Sequence, residues 1–112
     1  MSRSKGSQAE RRARAHYRLR GYRILDTNVW IAGYEIDLVV RRAQSLVFCE
    51  VKSKSGPRFG DPLEMVTPEK QRRLRVAAQA WLARHPDHAH CRMRFDVVAE
   101  RAGQLRRLEA AF

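Results

Sequence analysis

Cysteine is scarce in this chain, and what there is does not pair. Cys49 and Cys91 stand far apart with no CxxC spacing. Cys49 falls in an expected strand and reads as a small core hydrophobe. This usage suits a reducing, cytoplasmic setting. No apolar run approaches the length of a membrane span, so no membrane association is expected. The opening MSRSKGSQAERR contains no apolar stretch and does not read as a secretory signal; residues 1–5 are expected to form a flexible basic tail. There are no repeats and no low-complexity segments. A phosphate-cradling glycine loop, a dinucleotide fingerprint and a Ser/His/Asp or Cys/His nucleophile arrangement are all missing.

Acids are the remaining scarcity. Twelve Asp and Glu face 23 Lys and Arg, a formal net charge of +11 on 112 residues. Such a field attracts polyanions and speeds encounter with nucleic acid. Eight of the bases lie in the first 23 residues, against the single acid Glu10. Arg11, Arg12 and Arg14 form the core of that group, and Lys70, Arg72, Arg73 and Arg75 form a second. Both groups are candidate phosphate contacts. The length suits one domain spanning residues 1–112, with a single core.

The order of elements follows from periodicity. SQAERRARAHYRLR (7–20) is helical, with Ala9, Ala13, His16, Tyr17 and Arg20 on one stripe and Gly21 at a left-handed cap. YRILDTNVW (22–30), EIDLVVR (35–41) and SLVFCEVKS (45–53) read as strands, the first two separated by a break at Ala32-Gly33. Residues 54–66 are expected to form a loop. Thr67-Pro68 opens a helix carrying Leu74, Ala77, Ala78 and Trp81 on one face and ending near His85-Pro86. CRMRFDVVAE (91–100) is a fourth strand, with a short fifth at 104–108. The sum is an α/β fold, a mixed sheet flanked by helices.

The central hairpin carries the chemistry. A two-residue turn at Ala43-Gln44 sets Val39 opposite Phe48, Asp37 opposite Glu50, and Glu35 opposite Lys52, with each pair on one face. Ile36, Leu38 and Val40 then share the other face with Val47, Cys49 and Val51. Opposed carboxylates at the end of a covered face repel unless a cation lies between them. Lys52 offers one positive charge. Mg²⁺ or Mn²⁺ offers more, suits oxygen ligands and holds a phosphate. Lys52 would orient the attacking water or take its proton. A solvated salt-bridge ladder is the plainer alternative. Lys70, on the inward stripe of its helix, is either aimed at a phosphate or snorkelling. Trp30 is a candidate base-stacking residue. HPDHAHC (85–91) lacks the spacing of a structural zinc site.

Asp37 followed, after twelve residues, by Glu50-Val51-Lys52 resembles the D…ExK signature of the PD-(D/E)XK nuclease superfamily. The resemblance implies a restriction-endonuclease-like core ordered αβββαβ. More narrowly, the chain resembles a YraN-like family of small uncharacterised bacterial proteins related to archaeal Holliday-junction resolvases. That likeness runs through Glu10 and Ala13, GYRIL, Asn28, EIDLVV, LVFCEVKSKSG, FGDPLEMV, Lys70 and RFDVV. It implies that Asp37, Glu50 and the Val51 carbonyl hold the metal, that Lys52 serves the water, and that Glu10 completes the site. Glu35 would support it by pairing with Lys52. Tyr34 replaces the glycine usual before Glu35, a change that bears on the local backbone and on access. The implied partner is nucleic acid, DNA ahead of RNA, and the analogy to resolvases suggests a homodimer. A non-catalytic nucleic-acid-binding module and a basic protein-interaction adaptor are the competing readings.

Overall fold

The computed structural model describes residues 7–53, 64 and 66–112. Helix α1 (Gln8–Leu19) starts where the Ser7 hydroxyl accepts the Glu10 N–H, at 3.2 Å. It ends in a Schellman motif. The Gly21 N–H bonds the Arg18 carbonyl and the Tyr22 N–H reaches back to the Tyr17 carbonyl, with Gly21 at φ 86°. The Tyr17 and Tyr22 rings then meet edge-on, supplying the apolar contact of that motif. Only Ala9, Ala13 and Tyr17 of the expected stripe are fully buried. The helix stops at Leu19, so Arg20 never extends the stripe and stays exposed.

Strands β1 (Arg23–Ile31), β2 (Tyr34–Arg42) and β3 (Ser45–Ser53) form an antiparallel meander. Helix α2 (Pro68–Arg84), capped by the Thr67 hydroxyl, carries the chain over to β4 (Arg92–Arg101), which lies parallel to β3. A single 3-10 turn, Pro86–His88, precedes β4, and β5 (Gln104–Leu108) closes the far edge antiparallel. The order β1-β2-β3-β4-β5 makes a mixed five-stranded sheet. This is the α/β arrangement that the periodicity predicts, in the order αβββαβ with one added strand. The expected loop lies almost wholly outside the described residues, as does the expected N-terminal tail.

The two helices cover opposite faces. Ala13 and Tyr17 of α1 pack with Leu38, Val40, Val47, Cys49 and Val98. Leu74, Ala77, Ala78 and Trp81 of α2 pack with Val39, Leu46, Phe48 and Phe95. Alternate residues of β2 and β3 thus serve different cores, which makes β3 a doubly buried strand. One residue departs from the expected alternation. Ile36 joins the α2-side core, not the α1 side with Leu38. Beside it Asn28 holds φ 49° and is unpaired, although Thr27–Leu38 and Val29–Ile36 keep one register; the β1–β2 register shift lies between Ile24 and Asp26.

Candidate active site

The β2–β3 ladder has the expected register from Arg42–Ser45 to Leu38–Cys49 and goes no further. Asp37 and Glu50 stand one step beyond the last pair. There the Asp37 carboxylate accepts the Val51 N–H at 2.8 Å. A side-chain oxygen thus takes a strand N–H that a regular ladder would give to a carbonyl. Glu50 is 6% exposed, and both its oxygens are engaged. Lys52 Nζ lies 3.3 Å from one, and the Tyr34 hydroxyl donates to the other at 3.3 Å.

Glu10 reaches the same end of the sheet from α1. Its sequence context, Ser7 with a glutamate three residues on, has the form of a capping box, and the Ser7 half of that box is made. The Glu10 carboxylate, however, turns to Asn28, whose side-chain amide donates to Glu10 at 3.2 Å and to Glu35 at 3.3 Å. Asn28 therefore ties two of the four acids together. Its left-handed backbone, a conformation asparagine tolerates better than most residues, is what leaves its amide at that point. The other Glu10 oxygen is buried with no hydrogen-bond partner among the described residues.

The electrostatics follow from burial and crowding. Burial pushes the Asp37 pKa above the ordinary carboxylate range, and the charges of Glu50, Glu10 and Glu35 push it the same way. The Val51 N–H opposes them and does not prevail. Burial raises Glu50 as well, against the pull of Lys52, Tyr34 and Lys70. Two acids side by side thus resist ionising together. An added positive charge would relieve both.

These groups line an open cleft of about 420 Å³, bordered by Trp30, Gly33, Tyr34, Glu35, Asp37, Glu50, Val51, Lys52 and Arg73. Among the described residues, no three His, Cys, Asp or Glu groups converge into a ready-made metal cage. Mg²⁺ rarely needs one. It commonly takes one or two carboxylates and keeps waters or phosphate oxygens for the rest of its shell. Asp37 and Glu50 fit that donor set.

The two basic clusters do not border one groove, because α1 and α2 lie on opposite faces of the sheet. Of the α2 cluster, Arg73 lines the cleft while its Nε bonds Glu69 at 2.9 Å. Arg72 pairs with Glu69 too. Arg75 is occupied elsewhere, over the rings of Phe95 and Phe112. Lys70 is exposed in the first turn of α2, where its charge acts on Glu50. On α1, Arg12 approaches Glu100 at 3.6 Å, Arg11 is exposed and Arg14 is half-buried. The 85–91 histidines are engaged with other groups. His85 bonds the Trp81 carbonyl, while His88 and His90 meet the Arg41 guanidinium.

A family model described as "Uncharacterised protein family UPF0102" matches residues 9–99, from the first turn of α1 through all but the end of β4. The chain belongs to the UPF0102 family. A UPF0102 protein of Rhodopseudomonas palustris strain BisB18 is 44% identical over 108 residues, which is 96% of this chain and 78% of that protein. Its counterpart in Frankia alni is 47% identical over 93 residues, 83% of this chain and 77% of the relative. One from Cupriavidus necator is 46% identical over 109 residues, 96% and 82% of the two chains. The matched region of the family model contains all four acids, Asn28, Lys52 and Arg73.

Two members of the constellation, Asn28 and Tyr34, were not identifiable as site residues from periodicity. An asparagine inside a β-rich run does carry a signal, since it is a poor strand former that accepts positive φ. Tyr34 is marked only as a departure from the family pattern, because by periodicity an aromatic at a strand start looks like core.

Proposed function

We propose that this chain is a metal-dependent endonuclease-like protein of the PD-(D/E)XK kind, acting on DNA and favouring branched or recombination intermediates. The observation that carries the reading is the pair Asp37 and Glu50. Both are largely buried, both are held above the ordinary carboxylate pKa, and both line an open cleft, with Lys52 beside Glu50. Such a pair is costly to the free protein and suited to a divalent cation.

In this reading Asp37, Glu50 and the Val51 carbonyl would hold Mg²⁺ or Mn²⁺, which supplies charge neutralisation on the scissile phosphate. Lys52, beside Glu50, orients the attacking water toward phosphorus. Glu10 and Glu35, joined through Asn28, fix the outer edge of the acidic cluster. Arg73 is positioned to draw a phosphate into the cleft, and the net charge of +11 brings the polyanion to it.

A non-catalytic DNA-binding module is favoured by one observation: Tyr34 and Lys52 already engage both Glu50 oxygens. Cleavage of linear, flap and four-way-junction DNA with Mg²⁺ or Mn²⁺ separates the two readings. Metal-dependent cutting by the wild type and none by Asp37→Ala supports the nuclease. Salt-sensitive binding by both proteins with no cutting by either leaves the binding module.

A further inference from the structure

The chain has two tryptophans, and they are used in opposite ways. Trp81 is 1% exposed, stacks on His85 and donates its indole N–H to Asp26 at 3.0 Å. Trp30 is 65% exposed on the edge strand β1, and its indole N–H has no partner among the described residues. The other large exposed apolar side chains, Leu19 and Val76, sit on the helices and take no part in the cleft. Trp30 lines it.

Its support is rigid. Trp30 pairs with Glu35 across the β1–β2 hairpin, and the next pair, Ile31 with Tyr34, closes onto Ala32-Gly33. Both turn residues hold positive φ, 53° and 78°, as a tight type I′ turn requires. A Cβ on Gly33 would meet nothing within 4 Å, so the hairpin tip is open to an incoming molecule. Trp30 lines the cleft together with Glu35, Asp37 and Glu50, so it stands beside the acidic cluster. The cleft therefore combines a bare aromatic surface with the cations Lys52 and Arg73.

We propose that Trp30 is a stacking platform for an unpaired DNA base next to the phosphate that enters the cleft. This rests on the nucleic-acid reading above and narrows its substrate class to strands whose bases are free to leave the stack. A base inside a continuous duplex already has both faces covered by its neighbours. Only a base at a single strand, flap or junction offers a face to the indole.

The test uses the full chain in metal-free buffer, so that binding is read apart from cleavage. A dye-labelled short single strand, flap and blunt duplex of matched sequence are each titrated, with tryptophan fluorescence reporting stacking and dye anisotropy reporting binding. Buried Trp81 gives a constant background. The single strand and the flap quench the wild-type signal, and the blunt duplex does not. Trp30→Ala weakens the first two by about 5- to 100-fold and leaves duplex binding unchanged, while Trp30→Phe restores most of the loss. Trp30→Ala binding all three DNAs like the wild type, or losing all three equally, overturns the proposal. Parallel cleavage with Mn²⁺ keeps the two readings apart. Quenching without cutting by the wild type sinks the nuclease and leaves the platform. Cutting of flap and duplex alike, unaffected by Trp30→Ala, sinks the platform and leaves the nuclease. Failure to bind any DNA removes both.

Discussion

Two groups of carboxylates are buried against the same sheet, and the fold treats them differently. Asp96, on β4, has no exposed surface, yet every contact it makes is compensating. Arg94 grips it with Nε and a terminal nitrogen at 2.9 and 3.0 Å, Arg107 adds a third guanidinium contact at 3.3 Å, and the Tyr17 hydroxyl and Ala110 N–H donate at 2.6 and 3.0 Å. Burial alone would push its pKa up. The bonds from Arg94, Tyr17 and Ala110 outweigh that and hold it below the ordinary value. Asp37, near the start of β2, and Glu50, where the ionic part of β3 begins, have further acids for neighbours, and Lys52 stands against Glu50. Their pKa values rise. One site is finished by the protein. The other is left with its acids crowded.

The difference gives a ranking of expected effects. Asp96→Asn removes the charge that two arginines and a tyrosine are built around, and should cost about 3–5 kcal/mol in urea unfolding. Asp37→Asn should act in the opposite direction on stability. In EDTA at neutral pH it relieves the crowded acids and raises the unfolding free energy by about 1 kcal/mol, while Mn²⁺-dependent cleavage falls to background. A destabilised Asp37→Asn protein would mean that this carboxylate is structural, like Asp96.

The pH dependence separates the sites again. The raised folded pKa values of Asp37 and Glu50 contribute stability that is complete below the unfolded carboxylate values, near about pH 4, and is lost as pH rises through the folded values. Asp96, with its lowered pKa, contributes stability present above about pH 4 and lost as pH falls below it. Melting curves in EDTA across the pH range should therefore show Asp37→Asn/Glu50→Gln flattening the high-pH decline, with the acid limb intact. Added Mn²⁺ should stabilise the wild type more as pH rises, and the double variant not at all. The smallest effect is Tyr34→Phe. It removes one donor from Glu50 and should lower metal-free stability by about 0.5–1.5 kcal/mol, with the Glu50 pKa moving further up by NMR titration.

Most of the fold was legible because each element has its own punctuation. Thr67-Pro68 opens α2, Gly21 ends α1, and Ala32-Gly33 turns the first hairpin, each where the sequence reading placed it. The hairpin register was legible too, since Val39 against Phe48 is the pairing that buries both. The failures are local. Arg20 and Ile36 were assigned faces by strict periodicity, and periodicity ends where the helix stops or where Asn28 leaves the ladder. Of the candidate site, Asp37, Glu50 and Lys52 announced themselves as charge at the end of an apolar strand, and Glu10 entered only through the family resemblance. Asn28 and Tyr34 likewise entered only through the resemblance, Tyr34 as a departure from it, and their hydrogen bonds, across 18 and 16 residues of chain, were not legible.

The sequence by itself determined the order of elements, the two-sided burial of β3 and the place where its charges begin. Those depend on spacing along one strand or one helix, which hydrophobic burial reads directly. Only the tertiary structure decided which acids share a neighbourhood, which arginines are already committed to Asp96, Glu69 or aromatic rings, and that the two basic clusters lie on opposite faces. Charge pairing acts over a few ångströms in space, whatever the separation along the chain. Packing the two helices on opposite sides of the sheet is what set those distances.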